Sequence, residues 1–428
     1  MSNILWLSDS PLTNTGYATI SRNICNGLSD EHKIYFEGHN YLGQDIPRGL
    51  KLADGFEFKF ELLGCGREAY CKDVTMNRIF KYKADAHIVL LDTFMLYPWM
   101  LNENYYPAKS IFYFPSDGGG GMPNGCENIL RHVNMPIAMS KFGQKQVKDF
   151  YNIDALYIPH AVDEVNYRPL SSMEKEAVRR EYEVLFISGQ KMKGFLIDKF
   201  VVGTVARNQG RKMLDRTLKA FAEFCKDKPD AVMLFHSDLY DGAAVFDMRE
   251  LIKRYNIENR VCFSDIRAFD NFDYKDMNKV YNVMDVFFLS TSGEGFGVPT
   301  IEAMSCGVPC AVTDYTTTPE LLVQDGLCGI PIRLAGCEDI SMTDMWLNEG
   351  KSLKEIDLAL SNATLTGSWS VERGLMSIPH AVFVLNKYYS DPLLRASHGL
   401  SGREKVIKYY TWDVNIKLWK EAIKRLLQ

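Results

Sequence analysis

Short apolar runs alternate with amphipathic stretches along most of the chain. Ile4–Leu7, Lys33–Phe36, His87–Leu91, Ile111–Phe114, Pro136–Met139 and Leu156–Ile158 have the length and composition of strands. Tyr17–Leu28, Thr75–Tyr82, Gly125–Val133 and Lys141–Tyr151 carry the helical period between several of them. This alternation predicts a doubly wound α/β domain. It lapses after Asp163, where a polar stretch through Arg168-Pro169-Leu170 and Met173-Glu174-Lys175-Glu176 reads as a link between domains. It restarts with a strand at Phe200–Val205 and a helix over Met213–Cys225 that sets Leu214, Thr217, Leu218, Phe221 and Phe224 on one face. Further strands are predicted at Val232–Phe235, Val261–Phe263, Val283–Ser290 and Pro309–Val312. The pattern divides the chain into a Rossmann-like domain over 1–165, a linker over 166–198 and a second Rossmann-like domain over 199–410. Residues 411–428 read as a closing amphipathic helix, with the N-terminal domain as its candidate resting surface, and 334–369 reads as an insertion.

Size agrees with this division, since 428 residues exceed what one core supports and suit two domains of roughly 200 residues each. Lys+Arg total 49 against 54 Asp+Glu, a balance that argues against a basic nucleic-acid-binding protein but leaves a local patch open. The ten cysteines form no Cys-x-x-Cys pair and mostly lie among apolar residues, as reduced core thiols of a cytoplasmic protein do. Met1-Ser2-Asn3 runs directly into the first strand and no apolar run approaches 18 residues, so neither a signal peptide nor a transmembrane helix is expected. Peripheral membrane contact stays open.

The chemistry concentrates in Thr291-Ser292-Gly293-Glu294-Gly295-Phe296-Gly297-Val298-Pro299-Thr300-Ile301-Glu302. A strand precedes it, and Pro299 suits the first position of a helix that follows. Ligands of open α/β sheets bind at such carboxyl ends of strands, and the N–H groups of Gly295, Phe296 and Gly297 beside a helix N-terminus suit a phosphate. Glu302, expected in the first helical turn, is placed for ribose hydroxyls, and Glu294 for the hydroxyls of a sugar beyond the phosphates. A second cluster, Arg207-Asn208-Gln209-Gly210-Arg211-Lys212, follows the strand Phe200–Val205. Alone it reads as a solvated helix start; beside the carboxylate loop, two of its cations suit a diphosphate.

The order of strand, Arg207-x4-Lys212 and then Glu294-x7-Glu302 resembles the retaining GT-B glycosyltransferases. Ser8-Asp9-Ser10-Pro11 through Gly16-Tyr17, Ile158-Pro159-His160-Ala161-Val162-Asp163 and Tyr410-Thr411-Trp412-Asp413 extend the likeness over nearly the whole chain. The resemblance implies two Rossmann-like domains facing across a cleft, with the donor on the C-terminal one and the acceptor on the N-terminal one. It implies that Arg207 and Lys212 hold the donor diphosphate and that Glu294 and Glu302 take the sugar and the ribose. Gly16 is either a helix-start glycine or, as the resemblance favours, a point where backbone approaches the donor phosphate on domain closure. Asp117, ahead of Gly118–Gly121, stands near where many relatives have histidine, which leaves acceptor-side catalysis and turn stabilisation both open. His236 is expected at the cleft wall or on the donor, Ile266 where relatives place the nucleobase, and His160 in a structural role.

No Asp-x-Asp occurs and the eight histidines show no metal-ligand spacing, so no metal or other cofactor is expected. The expected partners are a nucleoside diphosphate sugar and an acceptor hydroxyl of unspecified class. A modified nucleic-acid base is one such acceptor, without support from the charge balance. A nucleotide-sugar hydrolase or epimerase and a noncatalytic nucleotide-sugar-binding protein are the rival readings. A nicotinamide oxidoreductase is disfavoured because no Gly-x-Gly-x-x-Gly follows the first strand.

Overall fold

The computed structural model describes residues 1–428 apart from 14, 53–54, 94, 96–108, 123–124, 243, 265–273 and 342–369. It contains two compact units: the first holds Met1–Ala161 and Tyr410–Gln428, and the second begins at Val162 and includes Glu372–Tyr409.

In the first unit, strands β1 (Asn3–Ser8), β2 (Lys33–Gly38), β3 (Glu61–Leu63), β4 (Ala86–Val89), β5 (Lys109–Phe114), β6 (Met135–Ala138) and β7 (Leu156–Tyr157) form one sheet in the order β3-β2-β1-β4-β5-β6-β7. Every pairing in it is parallel. Ile4, Leu5, Trp6 and Leu7 are fully buried, which explains why β1 reads as a continuous apolar run rather than an alternating one. The helix Trp412–Leu427 belongs to this unit. Its Trp419 packs edge-on against Trp6 and Tyr113, with ring centroids 5.3 and 5.1 Å away, and Lys109 Nζ donates to the carbonyl of Leu426 at 2.6 Å.

In the second unit, β8 (Glu183–Leu185), β9 (Lys191–Lys193), β10 (Phe200–Val205), β11 (Ala231–His236), β12 (Val261–Ser264), β13 (Val286–Leu289) and β14 (Cys310–Val312) form a sheet in the order β14-β13-β10-β11-β12-β8-β9. β10 to β14 pair in parallel, whereas β8 joins β12 antiparallel and β9 joins β8 antiparallel. The stretch 166–198, expected to be a linker, therefore carries ordered elements of this unit. Its polar start is the exposed helix Ser172–Glu181, which opens with a capping box in which Ser171 Oγ accepts from Glu174 N–H and the Glu174 carboxylate accepts from Ser171 N–H. Lys175 and Arg179 fasten that helix to Asp285 at 3.1 and 2.7 Å. The start of the expected insertion is also ordered, since β15 (Leu334–Ser341) pairs with β16 (Ser370–Met376) in a two-stranded sheet. The rest of the insertion lies outside the described residues. Among the described residues, no helix is long and apolar enough to cross a membrane.

Candidate functional site

Strand order in the second sheet determines where the chemistry gathers. From β10 the chain moves outward through β11 and β12, while β13 and β14 lie on the opposite side. β10 and β13 are thus parallel neighbours at the point where the order reverses, with Val202 paired to Val286 and Gly203 to Phe287. The crevice at the carboxyl ends of such strands is the ligand position of an open α/β sheet. The basic cluster follows β10 and the glycine-rich loop follows β13.

These two loops are bonded together. Ser292 N–H and Ser292 Oγ donate to the Arg211 carbonyl at 2.7 and 3.0 Å, and Ser290 Oγ donates to the Met213 carbonyl at 2.7 Å. Lys212 Nζ then meets Glu294 Oε1 at 2.5 Å, and Arg211 Nη1 meets Glu294 Oε2 at 3.0 Å. Lys212 and Glu294 are each 6% exposed. Burial alone would raise the Glu294 carboxyl, but the charges of Lys212 and Arg211 and the bond from Lys212 outweigh it and bring the pKa down to about 2. Glu294 is therefore a carboxylate at neutral pH. The Thr316 hydroxyl accepts from its backbone N–H at 3.0 Å.

The loop turns into the helix Val298–Ser305 through Gly297, whose φ of +101° is one that side-chain-bearing residues rarely adopt. Pro299 is the second helical residue, one position later than expected, and Glu302 consequently lies in the second turn. Phe296 is buried, so it anchors the loop while Gly295 and Gly297 flank it. Glu302 Oε2 accepts from the Tyr281 hydroxyl at 2.6 Å. Burial drives this second carboxyl up to about 7, against the opposing hydrogen bonds from Tyr281 and Tyr167. The two acids thus differ sharply: one is held ionised by cations, and the other is poised near neutrality.

The remaining expected residues are more dispersed. Arg207 points its Nε at Asp241, 3.0 Å away, with 60% of its side chain exposed. His236 ends β11, where its carbonyl accepts from Ala206 N–H at 3.3 Å, and burial lowers its pKa to about 4. Ile266 lies outside the described residues. Gly16 and Asp117 belong to the first unit. Gly16 opens the helix Gly16–Leu28, and a Cβ there would meet nothing within 4 Å, so packing within that unit does not require a glycine. Asp117 follows β5 at the carboxyl edge of the first sheet and is half-buried. His160 is buried against Tyr113, whose hydroxyl lies 2.8 Å from its Nδ1.

Residues 190–333 match the family of glycosyl transferases group 1. They form a group 1 glycosyltransferase domain. Lys212, Glu294 and the whole of the helix Val298–Ser305 fall inside this glycosyltransferase domain, whereas Gly16 and Asp117 fall outside it. Mannosylfructose-phosphate synthase of Agrobacterium fabrum is 26% identical over 193 residues, a match covering 43% of this chain and 38% of that enzyme. The chain thus spans less than half the length of that relative. Sucrose-phosphate synthase from Thermosynechococcus elongatus superposes with a TM-score of 0.70 at 13% identity, covering 100% of this chain and 99% of that one. The Anabaena protein HepE in complex with UDP superposes with a TM-score of 0.65 at 14% identity over 99% of this chain and 100% of that one. The fold is that of the GT-B enzymes.

Four residues that contact Glu294 or Glu302, namely Arg211, Thr316, Tyr281 and Tyr167, are not among the expected site residues. Arg211 was visible as a second cation beside Lys212. Tyr281 was masked by its place in the helix Tyr274–Asn282, and the Tyr315-Thr316-Thr317-Thr318 run carried no signal of its own.

Proposed function

We propose that this chain transfers a sugar from a nucleoside diphosphate sugar to an acceptor hydroxyl, with retention of anomeric configuration and without a divalent metal. The observation that carries the reading is the Glu294 carboxylate, fixed by Lys212 and Arg211 on a glycine-rich loop at the switch point of the second sheet. A carboxylate with a pKa of about 2 does not serve as a proton donor at neutral pH; it accepts hydrogen bonds from donor-sugar hydroxyls. The diphosphate lies against Lys212, Arg207 and the amides that precede the helix Val298–Ser305. Glu302 takes the ribose hydroxyls. The UDP complex of HepE supports uridine nucleotides as the first donors to test.

In the reaction the bond from the anomeric carbon to the diphosphate oxygen breaks and negative charge grows on the leaving group. Each cation aimed at that charge contributes roughly 3 kcal/mol to the transition state. The acceptor oxygen bonds to the same face of the anomeric carbon, and its proton passes to the departing phosphate oxygen, so no separate general base is needed. A screen of UDP-, GDP- and ADP-sugars, with mass spectrometry and NMR of the products, tests the reading. The expected result is one donor class consumed and an α-linked product from an α-linked donor. A β-linked product contradicts retention, and no consumption of any donor contradicts transfer.

A further inference from the structure

We infer that Thr316 is the positioning residue that fixes Glu294 for sugar transfer, an assignment that rests on the reading of the Glu294 loop given above. Thr316 is buried and has a φ of +48°, a left-handed conformation unfavourable for a β-branched residue. Glycine would adopt that backbone without strain. The threonine adds a hydroxyl, whose oxygen accepts from Glu294 N–H at 3.0 Å. Glu294 is therefore held at both ends: Lys212 and Arg211 fix the carboxylate, and Thr316 fixes the peptide from which it extends.

The neighbours of Thr316 hold it in this conformation. Tyr315 N–H donates to the Thr313 carbonyl at 2.8 Å, and the Tyr315 hydroxyl donates to Glu372 Oε1 at 2.7 Å and to the Glu372 carbonyl at 3.0 Å. Two residues further along β16, a Cβ on Gly374 would stand only 2.8 Å from the Tyr315 ring, so the strand lies directly on it. Gly374 N–H also donates to the Ser292 carbonyl at 3.0 Å, at the start of the carboxylate loop. β16 thus clamps Tyr315 and Ser292 together, and Thr316 bonds Glu294 from between them. Strain kept where the surroundings over-determine it is a property of functional positions.

Thr316→Ala, Thr316→Ser and Thr316→Gly, with Glu294→Gln as reference, separate positioning from packing. Hydrogen exchange of the Glu294 amide needs no substrate, and turnover is measured with the nucleotide sugar that the wild type consumes. Thr316→Ser is expected to behave as wild type in both. Thr316→Ala is expected to speed exchange at Glu294 and lower kcat about ten- to hundredfold with donor KM little changed. Thr316→Gly, free of the backbone strain, is expected to melt no lower than Thr316→Ala and to lose the same activity. Wild-type exchange and turnover in Thr316→Ala overturns the assignment, as does equal loss in Thr316→Ser. If Glu294→Gln is inactive while Thr316→Ala is fully active, only the role of Thr316 fails. Full turnover in Glu294→Gln overturns the reading of the loop, and this assignment with it.

Discussion

Lys212 Nζ lies 2.5 Å from Glu294 Oε1 with only 8% of either side chain exposed, and the pair joins the loop after β10 to the loop after β13. The ion pair is thus both a fold contact and the centre of the candidate site. Removing one partner alone leaves a buried charge uncompensated, which costs far more than replacing both by a neutral pair of similar shape.

Lys212→Met is expected to destabilise the second unit by about 3 kcal/mol, the low end of the range for a broken buried pair because Arg211 still contacts Glu294. The double variant Lys212→Met/Glu294→Gln is expected to recover part of that loss. Urea unfolding of the single and double variants checks this, and additive losses would show that the pair is not coupled.

The folded pKa of Glu294, about 2, lies below its ordinary value of 4.5. Its contribution to stability is therefore fully present above about 4.5 and is lost as pH falls from there through 2. Between pH 4.5 and 3, Glu294→Gln should lose stability less steeply than wild type, as read by urea midpoints.

Glu302 titrates in the opposite sense, from 4.5 up to about 7, so the fold favours its neutral form and its contribution weakens as pH rises through that window. If its carboxylate accepts ribose hydroxyls, UDP affinity should rise as pH passes about 7, and this component should vanish in Glu302→Gln. Tyr281→Phe removes a hydrogen bond that lowers the pKa, so the midpoint should move upward. Calorimetry across this range provides the check, and superimposable profiles for wild type and Tyr281→Phe would contradict it.

Arg207 separates function from fold. Its pairing with Asp241 is 60% exposed on the arginine side, and surface pairs contribute under about 1 kcal/mol. Arg207→Ala should melt like wild type yet turn over donor about a hundredfold more slowly. Equal turnover would remove Arg207 from the diphosphate site and leave Lys212 and the loop amides there.

Much of this arrangement was legible in the sequence. The helices Thr75–Tyr82 and Lys141–Tyr151 have the bounds their periodicity predicts, and Trp412–Leu427 is one residue shorter at each end than expected, because each pairs a clear apolar face with distinct ends. β13 is shorter than the apolar run Val283–Ser290 because Val283 and Met284 complete the turn after the helix Tyr274–Asn282 and are buried for packing. β8 and β9 were missed because three-residue strands with exposed positions such as Lys191-Met192-Lys193 carry no readable alternation. The Ser171-x-x-Glu174 box was the signal that the supposed linker held a helix. At the site, Glu294 stood out on its glycine-rich loop after a strand and Lys212 through the family resemblance, and the structure brings them together because β10 and β13 are neighbours. The Tyr281–Glu302 bond arises from packing between helices, and residue spacing does not encode it.

The proposal that lysine and arginine stand in place of a metal has a direct consequence. The purified protein should keep its transferase activity in excess EDTA, measured as nucleoside diphosphate release. Complete loss, restored by magnesium or manganese, would replace the proposed mechanism with a metal-assisted one.

The central claim is that Glu294 acts on the donor sugar from a position fixed by Lys212, and the most direct test is Glu294→Gln assayed with the donor identified in the nucleotide-sugar screen. Sugar transfer should fall about a hundredfold or more while the affinity for the free nucleoside diphosphate stays within about tenfold of wild type. Undiminished transfer by Glu294→Gln would contradict the account.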